Sequence, residues 1–303
     1  MRDQLAAWRT ERNMSMAAVA KRAGVNEATI SRYLANTMTG DIAGLEAKLR
    51  DMIQADARRQ TWAETYIETQ GCAETMTVLE LIRGACDIGL VTGPAGIGKT
   101  TACRRYAANS DTSILITLSE GCGDSWSIIR LIFGQLDMRA WSRRKGGDTR
   151  SEAVVSRLSG SERLIIVDNA QRATLSGLRW LFDLADQSGV PVALVGNPDV
   201  PDKVSGSDQL HSRIGLRADI GARRDMAWLD AASAEILSAM WPSAPAEVRL
   251  LAQETARQPG HLRRLVKQLR IAIRLSESAA WRKSQAAAFV EARTLIGAAT
   301  EED

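Results

Sequence analysis

Hydrophobic residues follow three textures along the chain. Over residues 1–53 they recur at helical spacing, broken at Gly24 and again at 37–40. Residues 54–70, QADARRQTWAETYIETQ, are polar and charged and read as a linker. From about residue 75, short and nearly continuous apolar runs alternate with helical stretches. The runs at 88–92, 113–118, 164–167 and 192–195 have the look of strands buried on both faces of a parallel sheet. Strands separated by helices make this segment α/β. After Ala227 such runs stop, and 230–300 reads as helices punctuated by Pro242, Pro245 and Pro259. The predicted organisation is a small helical domain at 1–53, a linker at 54–70, an α/β core at 71–228 and a helical domain at 229–303.

Composition changes this picture little. The net charge of the 303 residues is only +3, so any basic surface has to be local. No apolar run approaches the roughly 20 residues of a membrane span, and the charged start MRDQLAAWRTER has no signal-peptide apolar region. No membrane partner is expected, and a cytoplasmic location is. The four cysteines are widely spaced and form no CxxC pair, which argues for reduced thiols rather than a metal centre.

The strongest chemical signal is GLVTGPAGIGKTT. Gly93, Gly98, Lys99 and Thr100 keep the spacing G-x-x-x-x-G-K-T after an apolar strand and before a helix. Such a loop turns backbone N–H groups toward phosphate oxygens at a helix N-terminus. Gly93, Pro94, Ala95, Gly96, Ile97, Gly98, Lys99, Thr100 and Thr101 are therefore the expected ATP cradle. Lys99 would reach the β and γ phosphates, and the Thr100 hydroxyl would ligate Mg²⁺. A second Mg²⁺ ligand, the Asp168 carboxylate, ends the apolar run of RLIIVDNAQRA, where a strand's C-terminal end faces the ligand crevice.

The loop, the later Asp and the helical C-terminal segment resemble the AAA+ ATPases. That resemblance implies a sensor-1 role for Asn197, in VALVGN. It makes Arg213 and Arg217, in HSRIGLRADI, candidates for an arginine finger acting on a neighbouring subunit. Arg263, in QPGHLRRL, suits a sensor-2 arginine. The pattern breaks at Asn169, because AAA+ ATPases usually place a Glu after the Asp to polarise the attacking water. An amide can orient a water but cannot take its proton. Hydrolysis is expected to be slow unless another carboxylate, such as Glu120 after the second strand, substitutes.

Three surfaces could meet DNA. MSMAAVAKRAGVNEATISRYLAN reads as a helix-turn-helix with Gly24 at the turn and Asn26 capping the second helix. Val19, Val25, Ile30 and Leu34 would form its core, with Glu27, Thr29, Ser31 and Arg32 facing outward. In the C-terminal helices, Arg263, Lys267, Arg270 and Arg274 make a positive stripe beside the apolar Leu262, Leu265, Val266, Leu269 and Ile273. Arg263 cannot easily serve both this stripe and the nucleotide. Finally, WSRRKGGDTR holds Arg143, Arg144 and Lys145 in a Gly-flanked loop suited to backbone phosphates.

The order of these parts resembles the MuB-like target-selection ATPases of bacteriophage Mu and Mu-like prophages. The strings that carry the likeness are VAKRAGVNEATIS, YIETQ, GPAGIGKT, RRKG, LIIVDNA, VGN, SRI and PGHLRRL. It implies an AAA+ core with a parallel sheet, an N-terminal helix-turn-helix and a helical C-terminal lid. It also implies ATP-dependent binding to double-stranded DNA with little sequence preference, and self-association into a helical filament or ring. Delivery of that DNA to a DDE transposase, which in turn promotes hydrolysis and release, is implied as well. The likeness carries nucleotide roles onto Gly93, Gly98, Lys99, Thr100, Asp168, Asn197, Arg213 and Arg263, and DNA contact onto Arg143, Arg144 and Lys145. A helicase-loader or replication-initiator ATPase, and a nucleotide-switched transcription regulator, remain alternative readings.

Overall fold

The computed structural model describes residues 1–11, 14–63, 66–136, 149–206, 208–221, 227–277 and 284–297. The chain divides into two compact units, Met1–Tyr66 and Ile67–Asp303.

The described residues of the first unit form four helices: α1 (Arg2–Glu11), α2 (Met16–Ala23), α3 (Glu27–Leu34) and α4 (Ile42–Ala63). Ser15 caps α2, and Gly24 closes it in the left-handed region at φ 64°, which a residue with a side chain adopts only at a cost. Asn26 then caps α3 through a bond from the Ala28 amide at 2.9 Å. The core is Leu5, Trp8, Val19, Ala20, Ile30, Tyr33, Leu45, Leu49 and Ile53. Val25 and Leu34 pack at its margin, only partly buried. Tyr33 was absent from the expected core because its hydroxyl suggests a surface. It is fully buried, with that hydroxyl donating to Glu46 Oε1 at 2.5 Å. Burial and this bond raise the Tyr33 phenol to about 12. Within the polar stretch at 54–70, α4 runs on to Ala63.

In the second unit, α5 (Gln70–Ala85) leads into a five-stranded parallel sheet. The strands are β1 (Ile88–Thr92), β2 (Ser113–Thr117), β3 (Leu164–Asp168), β4 (Val192–Val195) and β5 (Ile214–Asp219), in spatial order β2-β3-β4-β1-β5. The crossovers are α6 (Lys99–Ala108), then α7 (Ser125–Gln135) with α8 (Arg150–Leu158), then α9 (Leu175–Ser188), and lastly α10 (Val200–Ser205) with α11 (Asp208–His211). β1, β3 and β4 are buried at every position, as continuous apolar runs require. The fifth strand was not expected from the sequence. It is an edge strand whose positions alternate between half-buried and exposed, so IGLRAD shows no apolar run.

Among the described residues, four helices follow the sheet: α12 (Ala227–Met240), α13 (Ala246–Arg257), α14 (His261–Glu277) and α15 (Gln285–Gly297). α14 buries Leu262, Leu265, Leu269 and Ile273, with Val266 partly buried. It also buries Gln268, which is satisfied on both sides. Gln268 Nε2 donates to the Phe289 carbonyl at 2.9 Å, and its Oε1 accepts from the Thr255 hydroxyl at 3.2 Å. The amide thus ties α13, α14 and α15 without leaving a buried polar group unpaired. No described helix is long and apolar enough to cross a membrane.

Candidate nucleotide site

The strand order reverses beside β1, so the carboxyl ends of β1, β3 and β4 open into one crevice, where open α/β sheets bind ligands. The 93–101 loop runs from the end of β1 into α6. Gly96 sits at φ 91°, and a Cβ there would lie 2.1 Å from the Gly260 carbonyl oxygen. Gly96 stands at a variable position of the motif, and it is demanded by the turn before α14 as well as by its own positive φ. The Arg263 amide donates to the Gly96 carbonyl at 3.2 Å, so the first turn of α14 is bonded to the loop.

Lys99 is almost fully buried, with Nζ donating to the carbonyls of Gly93 at 2.7 Å and Pro94 at 2.8 Å. Burial pulls its ammonium down to about 8; Asp168 works against that shift and Arg263 adds to it. The Thr100 hydroxyl donates to Asp168 Oδ1 at 3.1 Å. Asp168 is only 2% exposed, and its Oδ2 is buried without a hydrogen-bond partner. Burial raises its carboxyl above the usual range, and the Thr100 bond opposes this. A desolvated carboxylate oxygen with no donor, next to a threonine hydroxyl, is the oxygen-ligand set a divalent cation takes. The buried lysine and the loop fit the phosphates beside it. These residues therefore fit Mg²⁺ and a nucleotide.

Within the cradle, Ile97 is fully buried, Pro94 half-buried, and Ala95 and Thr101 exposed. Asn169 adopts the left-handed conformation, φ 59° and ψ 41°, which asparagine tolerates better than most residues. Its Nδ2 donates to the Leu118 carbonyl at 3.3 Å, so the amide is anchored to the end of β2. Glu120 lies exposed in the turn beyond. Asn197 is half-buried two residues after β4, and its backbone amide donates to Gln171 Oε1 at 3.3 Å. Arg263 is exposed at the start of α14. Arg213 pairs on the surface with two carboxylates of α9, Asp183 at 3.3 Å and Asp186 at 3.0 Å. Arg217 is exposed on β5 and donates to the His211 carbonyl at 3.1 Å.

Two groups were not singled out from the sequence. One is the start of α5, packed against the loop. Cys72 Sγ donates to the Gly98 carbonyl at 3.5 Å, and Thr69 is 3% exposed. The YIETQ string marked this position but not its contact. The other is Gln171, whose contact with Asn197 depends on tertiary proximity alone.

For the DNA surfaces, Glu27, Ser31 and Arg32 are exposed on α3, while Thr29 is half-buried. Lys267 and Arg274 are exposed on α14, and Arg270 is half-buried. Because the Arg263 backbone is bonded to the phosphate loop, the stripe's first residue belongs to the nucleotide end of α14. Arg143, Arg144 and Lys145 lie outside the described residues.

The site's architecture has relatives. An AAA domain family matches residues 82–204, and a helix-turn-helix family matches 5–40. The "Mu-like prophage FluMu DNA transposition protein B" of Haemophilus influenzae is 30% identical over 200 residues, covering 65% of this chain and 69% of that protein. The "ATP-dependent target DNA activator B" of Escherichia phage Mu is 27% identical over 273 residues, 84% of this chain and 81% of that protein. Among solved structures, the Aeropyrum pernix ORC2 protein aligns with TM-score 0.58 at 16% identity, over 80% of this chain and 72% of that one. Domain III of the Thermotoga maritima replication initiator DnaA aligns with TM-score 0.52 at 16% identity, over 76% of this chain and 93% of that one. These two likenesses concern the fold, which is the AAA+ P-loop fold. With its phosphate loop, its parallel sheet and its N-terminal helix-turn-helix, this chain belongs to the family of Mu-type DNA transposition protein B, the MuB target DNA activators.

Proposed function

We propose that this protein binds Mg²⁺ and ATP in the crevice between β1, β3 and β4. In that state it assembles on double-stranded DNA with little sequence preference, as a helical filament or ring. It presents that DNA to a DDE transposase in the cytoplasm of a bacterial host. The observation that carries the nucleotide part is the buried, partnerless Asp168 Oδ2 beside the Thr100 hydroxyl and the buried Lys99. The bond from Arg263 to Gly96 supports coupling, because it links the helical C-terminal segment directly to the phosphate loop. Nucleotide there would set the angle between the two parts of one unit and, with it, the shape offered to a neighbouring subunit. The names of the relatives support the DNA and transposition parts.

In this reading Thr100 and Asp168 hold the metal, which supplies neutralisation of phosphate charge. Lys99 and the amides of residues 93–101 hold the phosphates. Asn197 orients the attacking water or the γ-phosphate, Arg263 contacts the phosphates from α14, and Arg213 acts on the neighbour's nucleotide. The last role requires Arg213 to leave Asp183 and Asp186 on assembly. Asn169 offers no base, so hydrolysis is slow and DNA-bound assemblies persist.

The test is Lys99→Ala measured by fluorescence anisotropy on unrelated duplexes with and without ATP. Loss of ATP binding together with loss of ATP-dependent DNA binding supports the coupling; DNA affinity in ATP equal to the parent's contradicts it. The helix-turn-helix, with Ser31 and Arg32 exposed on α3, supports a second reading as an operator-binding regulator. Nuclease footprints separate the two: a bounded footprint on one sequence favours the regulator, and uniform protection favours the assembly.

A further inference from the structure

Two turns border the crevice beyond the phosphate loop, one after β3 and one after β4. The first is a single 3₁₀ turn, Ala170–Arg172, which directly follows Asp168 and Asn169. The second carries Gly196 and Asn197. Gln171 spans them. Its Oε1 accepts the Asn197 backbone N–H at 3.3 Å. Its own carbonyl accepts from Lys203 Nζ on α10. The two turns are also packed together without slack. A Cβ on the buried Gly196 would lie 2.8 Å from Gln171 Oε1 and 2.5 Å from a methyl of Val200. Gln171 is half-buried and contributes nothing to the apolar core, so packing alone does not account for a glutamine there.

We propose that Gln171 is a positioning residue that locks the Asn197 turn to the Asp168–Asn169 turn and so sets how well the site tells a nucleoside triphosphate from a diphosphate. The inference rests on the assignment of Asn197 to the γ-phosphate side made above. The geometry gives the reason. Asn197 lies two residues beyond the short β4, and its backbone amide is held by this side chain. Without that acceptor the Asn197 amide loses its bond to the metal carboxylate's turn, the Lys203 bond to the Gln171 backbone carbonyl remaining, and the Asn197 side chain is held less firmly. An amide oxygen and a carboxylate oxygen can both accept this N–H, so glutamate can replace glutamine here and alanine cannot.

The test uses the full chain with Gln171→Ala, Gln171→Glu, Asn197→Ala and the Gln171→Ala/Asn197→Ala pair. Dissociation constants for MgATP and MgADP are measured by calorimetry, alongside single-turnover hydrolysis and the melting temperature of the nucleotide-free protein. Gln171→Ala is expected to keep ADP affinity within about twofold and to lose about two- to tenfold of the preference for ATP, the worth of one hydrogen bond. Gln171→Glu is expected to retain that preference, and the double variant to be no worse than Asn197→Ala, as for residues acting through one another. Parental behaviour of Gln171→Ala, failure of Gln171→Glu to rescue, or additive losses in the double variant each overturn the proposal. A defective Asn197→Ala beside a parental Gln171→Ala overturns the tie alone. A parental Asn197→Ala, or a parent that binds ATP and ADP alike, overturns both the tie and the assignment of Asn197.

Discussion

In the proposed site, Lys99 is where proton and nucleotide binding would meet. Its ammonium is pulled to about 8 by burial, from an ordinary 10.5. Between those values the unfolded chain holds more protons than the folded one, so nucleotide-free stability contributed by this group rises with pH from about 8 to 10.5. Phosphate binding needs the charged form. Affinity for ATP is therefore expected to fall as pH rises through 8, by up to about tenfold per unit, with proton uptake on binding. Calorimetry at pH 8 in buffers of different ionisation enthalpy reads that uptake directly, and Lys99→Arg should abolish it. Asn169 sets a second expectation at this scale. General-base help is worth roughly 10²–10⁴-fold, so parental turnover should be slow by about that factor. Asn169→Glu should raise it while lowering the melting temperature, because glutamate is disfavoured in the left-handed region and removes the donor to Leu118. Glu120→Gln should change nothing, since Glu120 is exposed in its turn. Steady-state phosphate release on the three proteins decides; brisk parental turnover that Glu120→Gln abolishes would install Glu120 as the base and end the slow-hydrolysis reading.

Among the elements, the loop and the start of α14 act as one piece. Gly96→Ala places a methyl against the Gly260 carbonyl at a φ unsuited to a side chain. It should weaken nucleotide binding at least tenfold and lower the melting temperature by several degrees, with the first unit still melting as in the parent; unchanged binding would show that the loop and α14 are not coupled. How far these elements can be read from sequence depends on where their determinants lie. β1, β3 and β4 announce themselves because burial on both faces needs unbroken apolar residues, and the phosphate loop because its spacing is local. β5 hides because an edge strand alternates. Tyr33 hides because only the fold brings Glu46 to its hydroxyl. Gln171 and Cys72 hide for the same reason. Each touches a residue 26 positions away, and no spacing rule connects those pairs.

At the level of the whole molecule, the weak net charge means that the proposed DNA affinity would have to come from a few local clusters. Replacing Arg143, Arg144 and Lys145 with Ala should weaken binding to every duplex alike and flatten its salt dependence by up to about three units of slope, with ATP binding intact. A triple variant that binds like the parent at each salt concentration would return those three residues to an ordinary charge run. Whether ATP turns this protein into an assembly covering DNA is read from electron microscopy of the full chain on long duplex DNA. With ATP and Mg²⁺, continuous coating or stacked rings are expected along DNA of any sequence, absent without nucleotide and absent for Lys99→Ala. Isolated particles at fixed positions, or identical coating with and without ATP, would contradict it.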